Sequence, residues 1–140
     1  MKSSVLFVAV LALIVSSGVA SAEDLTGVDK ILCAGVQATY CDTSGACEVG
    51  MPWQWNMPEF VEIDLEAKMV STTKAVERFR QTPIRTLERA NGEIYLQGVE
   101  NARAFSFVID EASGVASIAI AADGMTISVF AACTPMPSGR

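Results

Sequence analysis

Turn signals recur about every ten or eleven residues through the second half of this chain, and that spacing limits its possible folds more than any other feature. Asn91-Gly92 and Asp123-Gly124 are strong hairpin dipeptides, because Asn and Gly tolerate the positive φ that tight β-turns demand. Further turns fall near Glu100-Asn101 and over Asp110 to Gly114, so turns centre near 91, 101, 112 and 123. Between them lie Ile94 to Val99, Ala104 to Ile109, Val115 to Ala121 and Thr126 to Ala132. These are strand-length segments. Phe105, Phe107 and Ile109 share one face, as period-two alternation requires. Short strands joined by short turns describe an antiparallel meander.

The preceding half reads the same way. Phe60 to Leu65 alternates apolar and acidic residues, Glu66-Ala67 turns, and Lys68 to Thr73 returns. Pro83 to Glu88 is another alternating stretch, and Ile31 to Tyr40 is a first strand. Ala75 to Gln81 reads as one helical turn or an irregular connection ended by Thr82-Pro83. No segment after residue 22 keeps a helical period over three turns. The expectation is a single all-β domain of about eight antiparallel strands. Such a meander closes into an up-and-down barrel, which removes both exposed edges. A two-sheet sandwich remains the alternative.

Residues 1–22 fix the compartment. Lys2 supplies a positive start, Val5 to Val19 is almost unbroken apolar chain, and Ala20-Ser21-Ala22 offers small residues for cleavage. This is the pattern of a secretory signal peptide, which leaves 23–140 as the exported domain, beginning at Glu23. The apolar run is shorter than the roughly 18 residues of a membrane span. A secreted or periplasmic location follows, with no membrane association after cleavage. The chain carries a formal charge of −6, and loss of Lys2 makes the exported part more acidic still. Nucleic acid and anionic membrane surfaces are therefore poor partners.

Four cysteines follow the leader: Cys33, Cys41, Cys47 and Cys133. An even count in an oxidising compartment reads as two disulfides. Metal binding is disfavoured, because the chain has no histidine and no Cys-x-x-Cys pair. Barrel closure sets the first strand beside the last, which favours Cys33–Cys133. Cys41 and Cys47 flank Thr43-Ser44-Gly45, a loop able to fold back into the second bridge. The architecture resembles the small exported antiparallel barrels that include lipocalin-like and streptavidin-like carriers. That resemblance rests on strand count and turn spacing, and it implies a carrier-like binding role.

Met51-Pro52-Trp53-Gln54-Trp55-Asn56-Met57-Pro58 is the most unusual stretch, holding both tryptophans between two prolines. As a site, Trp53, Trp55, Met51 and Met57 offer a ligand- or partner-binding surface, since Trp combines a broad apolar face with one N–H donor. As structure, the tryptophans plug one end of the barrel. Thioethers also bind Cu(I), but two methionines without histidine make a poor copper site. Lys74, Arg78, Arg80, Arg85 and Arg89 form a basic cluster that reads as a solvated face paired with nearby carboxylates. Ser71-Thr72-Thr73-Lys74 has the spacing of a Ser-x-x-Lys nucleophile, but that chemistry needs a helix and this segment reads as strand. Glu62 and Asp64 share one strand face, so they flank no scissile bond. Without histidine there is no Ser-His or Cys-His dyad. The sequence therefore points to a non-enzymatic binding module without a cofactor, taking a small apolar ligand or an exported protein. The alternative is an interaction or inhibitor protein that docks through an exposed Trp loop.

Overall fold

Strand β1 (Lys30–Asp42) organises the molecule because it pairs along both edges. One edge carries β10 (Met125–Pro135); the other carries β3 (Phe60–Asp64) and, further along, β2 (Cys47–Gly50). The computed structural model describes residues 23–74 and 77–137. Residues 1–22, expected as a signal peptide, and residues 75–76 of the connection before Pro83 lie outside them. From β3 the sheet continues through β4 (Met69–Thr72) to β5 (Gln81–Pro83). From β10 it continues through β9 (Val115–Ala122), β8 (Arg103–Asp110) and β7 (Glu93–Glu100) to β6 (Thr86–Ala90). Every pairing is antiparallel.

The all-β meander is present, but it has ten strands and does not close. It is a curled half-barrel whose open edges are β5 and β6, with no ladder between them among the described residues. The reason lies at Pro83. The stretch expected as one strand from 83 to 88 breaks at Ile84-Arg85, so that its first part pairs with β4 and its second with β7. Proline has no N–H to give a ladder and belongs on an edge. The other added strand is β2, four residues folded back on β1.

Apolar side chains line the concave face. Ile31, Ile63, Ile94, Leu96, Ile109 and Ile127 are all 0–1% exposed. Each contributes about 1.5–3 kcal/mol on burial. A bulge at Val36, between Gly35 and Gln37, switches the inward parity of β1. Cys33 faces inward before it and Ala38 after it. Asn91-Gly92 makes its turn with φ of 56° and 79°, and Asn101-Ala102 with 49° and 61°. Gly98 accommodates the curl: a Cβ there would sit 2.4 Å from the Phe105 ring and 3.0 Å from the Pro83 carbonyl.

Both disulfides form as expected, Cys33–Cys133 and Cys41–Cys47, each across directly paired residues of adjacent strands. Such bridges belong to an oxidising compartment. No helix among the described residues is long and apolar enough to cross a membrane.

The segment before β1 closes one end of the half-barrel. Leu25 is fully buried, and its N–H donates to the Glu111 carbonyl at 2.6 Å. Glu23 N–H donates to the Cys133 carbonyl at 3.2 Å. Arg89 clamps this plug. Its Nη2 donates to the carbonyls of Leu25 (3.0 Å) and Val28 (2.9 Å), its Nη1 to Asp29 (3.3 Å) and its Nε to the buried Glu111 carboxylate.

Candidate functional site

The end opposite Leu25 is roofed by the Met51–Pro58 loop. Pro52 opens a 3-10 turn, Pro52–Trp55, and suits its first position because that N–H needs no partner. Gln54 ties the turn down locally: its N–H donates to the Met51 carbonyl (3.1 Å), and its Oε1 accepts from Met51 N–H (2.6 Å). Asn56 ends the turn in the left-handed region, at φ 57°, where asparagine is tolerated.

The roof has an inner and an outer side. Pro52 is buried against Gly35, where a Cβ would meet its ring at 2.7 Å. Trp55 is half-buried and stacks on Tyr40, with ring centroids 5.7 Å apart and an interplanar angle of 7°. Trp53 stands 52% exposed and Met51 36% exposed. The four residues singled out in the sequence therefore divide. Trp55 and Met57 pack inward, while Trp53 and Met51 face solvent. The role of plug falls to Pro52, which the tryptophans overshadowed in the sequence.

Beneath the roof is a cavity of about 90 Å³, open at the roofed end. Val61, Val70, Phe105, Phe107, Ile118 and Ile120 form its walls, Cys33 and Ala131 line it too, and Met57 and Pro58 stand at its mouth. Phe105 and Phe107 meet edge to face at 5.7 Å. The mouth also carries charge: Arg80 Nη1 lies 3.8 Å from Glu100 Oε1, each side chain about one-third exposed. Buried Thr72 positions Arg80, because its Oγ1 accepts the Arg80 N–H at 2.9 Å and its own N–H donates to the Arg80 carbonyl. The arrangement suits a small apolar group entering past one ion pair.

Of the remaining candidates some disperse and others meet. The basic cluster does not converge: Arg80 is at the mouth, Arg89 is at the opposite end, and Arg85 borders a groove on the outer face. Asp64 pairs with Lys30 at 3.5 Å and accepts the Ala67 N–H, so with Glu62 it belongs to a half-buried strand. Ser71, within β4, and Lys74, beyond it, line one shallow pocket of about 250 Å³ together with Glu62, Asp64 and Lys30, with no helix to align the serine and the lysine.

Three aspartates have carboxyls held below the ordinary range. Asp24, Asp42 and Asp110 each accept first from a hydroxyl, those of Thr26, Ser44 and Ser113, and then from the backbone N–H of the same residue. All three are turn formers and belong to no site. Comparison with known protein families, with curated proteins and with solved structures gives no match.

Proposed function

We propose that this protein is an exported, non-enzymatic binding module whose concave pocket holds a small apolar group under the Met51–Pro58 roof. The observation that carries this reading is the cavity itself: aromatic and aliphatic walls, one open end and a single ion pair at the mouth. Its size sets the ligand. At about 90 Å³ it is smaller than the roughly 150 Å³ apolar cavity that admits benzene. It therefore suits a compact apolar molecule, or the tip of an apolar side chain on an exported partner, and not a lipid.

Export is part of the proposal. The leader composition supports it, and so do the two disulfides. Glu23, the first residue after the proposed cleavage, donates its N–H to the Cys133 carbonyl, so cleavage there would leave the new terminus tied to β10.

A second reading is favoured by Trp53, which offers more than half of its surface to solvent from a loop braced by Pro52 and Pro58. Such a side chain loses little freedom on docking to another exported protein. Xenon titration followed by amide chemical shifts separates the two readings. Shifts confined to Val61, Phe105 and Ile118, and lost in the cavity-filling variant Ala131→Leu, support the pocket. Absence of shifts at those residues removes it and leaves the Trp53 surface.

A further inference from the structure

The outer face of β1, β10, β9, β8 and β7 carries a second surface, unrelated to the pocket. Across these five strands the ladder aligns three successive outward rows. The middle row reads Thr39, Ser128, Ala119, Ser106 and Gln97. The rows on either side centre on Ser117, beside Phe130, and on Ala121. Three rows over five strands give fifteen positions, and none is charged. A chain with 19% charged residues would place about three charges on fifteen outward positions even without any preference for charge at the surface. Antiparallel sheets that face water on one side ordinarily alternate apolar-in with polar-out. Here the outward residues are mostly Ala, Ser and Thr, the sizes that let a second sheet approach to the roughly 10 Å of face-to-face packing.

The face also has matching relief. Phe130 projects from it at 57% exposure. Beside it runs a shallow groove of about 530 Å³, floored by Ala104, Ser106, Ala119 and Ala121, with Arg85 as the one charged residue at its rim. A knob and a groove on one surface are what a self-complementary, two-fold interface requires, since each copy supplies both halves.

We infer that this face joins two copies of the chain, sheet against sheet, about a two-fold axis lying between them, with Phe130 of each copy seated in the groove of the other. Charge favours a copy over a foreign partner. The molecule is acidic, so two copies repel through most of their surfaces, and this face is where they meet without opposing like charges. Area is consistent. Five strands at about 4.8 Å and six residue steps at about 3.4 Å span roughly 24 by 20 Å, on the order of 500 Å² per copy. That falls below the roughly 800 Å² per partner of a standard interface, so the dimer is a reversible one.

Sedimentation equilibrium of the exported protein across a wide concentration range tests this. The expected result is a monomer–dimer equilibrium in the micromolar range. Ala119→Arg and Ser128→Glu place charge at the centre of the face and should each weaken dimerisation about a hundredfold, with the urea midpoint and near-UV circular dichroism retained. Glu66→Arg, in the exposed turn between β3 and β4 and outside the five strands of the face, should leave it unchanged. A protein that stays monomeric throughout overturns the inference. So does a dimer indifferent to both central charges, or one that Glu66→Arg disrupts equally. Co-sedimentation with phosphatidylcholine vesicles, abolished by Ala119→Arg, would assign the face to lipid and overturn it as well.

Discussion

Removing the Arg89 guanidinium should open the end of the half-barrel that Leu25 closes. Arg89 serves four acceptors: the carbonyls of Leu25 and Val28 and the carboxylates of Asp29 and Glu111. Glu111 matters most, since its side chain is only 12% exposed and Arg89 supplies its ion pair. Breaking a buried pair by deleting one partner costs about 3–5 kcal/mol, because the survivor is left charged and unpaired. Arg89 is itself 31% exposed, so water reaches part of the gap and the estimate falls to about 2–4 kcal/mol. The Asp29 pair adds little, since the Asp29 side chain is 58% exposed. Arg89→Ala should therefore lose about 3 kcal/mol, on the order of 2 M in urea midpoint at a slope of about 1.5 kcal/mol per molar. Arg89→Lys should recover only part, because one ammonium does not reproduce a fork that spans two carbonyls and a carboxylate. Glu111→Gln in the Arg89→Ala background should restore some stability by removing the stranded charge. Urea unfolding measures all three, and hydrogen exchange at the Leu25 amide reports the plug directly. A loss below about 1 kcal/mol with Leu25 protection unchanged would show that the clamp is incidental.

Four further outcomes are expected. Replacing Cys33 and Cys133 by serine should cost about 4–5 kcal/mol and replacing Cys41 and Cys47 about 2, since the closed loops differ so much in length; urea midpoints compare them. Ala102→Gly should raise thermal stability by about 0.5–1 kcal/mol, because Ala102 sits at φ 61°, where an L side chain is strained. Trp53→Ala should change stability by less than about 0.5 kcal/mol and Trp55→Ala should cost about 1–3, as the stacking on Tyr40 demands; equal losses would contradict the division of the roof. Asp24, Asp42 and Asp110 are held below their unfolded values, so their stabilisation is fully present above about pH 4 and is lost as pH falls through the lowered folded values; urea midpoints between pH 6 and 2.5 should drop only at the acid end.

Local signals carried most of the fold into the sequence. Asn91-Gly92 and the alternation of Phe105, Phe107 and Ile109 mark β6 to β8 because hairpin chemistry and pleat both act within a few residues. The disulfide pairing followed from placing β1 beside β10, which holds although the sheet opens elsewhere. That opening was also marked locally, by Pro83, after which the chain turns from β4, where Ile84 N–H donates to the Lys68 carbonyl, to β7, where Arg85 N–H donates to the Gln97 carbonyl. The bulge at Val36 had a signal too, since inward residues shift from odd to even between Cys33 and Ala38. Strand β2 did not, being four residues long with three of them exposed. Nor did the Arg89 clamp, three of whose acceptors lie 60 to 64 residues away and the fourth, Glu111, 22, so that they meet it only in the folded chain. The Trp pair drew attention to the loop that roofs the concave face, but which face each ring would turn inward depended on Gly35 and Tyr40 of β1.

The two ends of the half-barrel are closed by different means, and the difference bears on the proposed pocket. At the Leu25 end a fully buried side chain, two backbone hydrogen bonds and the Arg89 fork act together. Opening it would expose Leu25 and strand the Glu111 charge at once. At the roofed end, one strand-to-loop bond runs from Gly35 N–H to the Glu59 carbonyl, while the bonds of the 3-10 turn stay within the loop itself. What else holds the roof is packing, Pro52 on Gly35 and Trp55 on Tyr40. The ion pair across the mouth, Arg80 with Glu100, is partly exposed and contributes about 0.2–1 kcal/mol. Lifting the loop thus breaks few interactions and strands no charge, because its own turn moves as a unit. Any ligand of the concave pocket should therefore enter and leave between Met57 and the Arg80–Glu100 pair, and the Leu25 end should remain shut while it does.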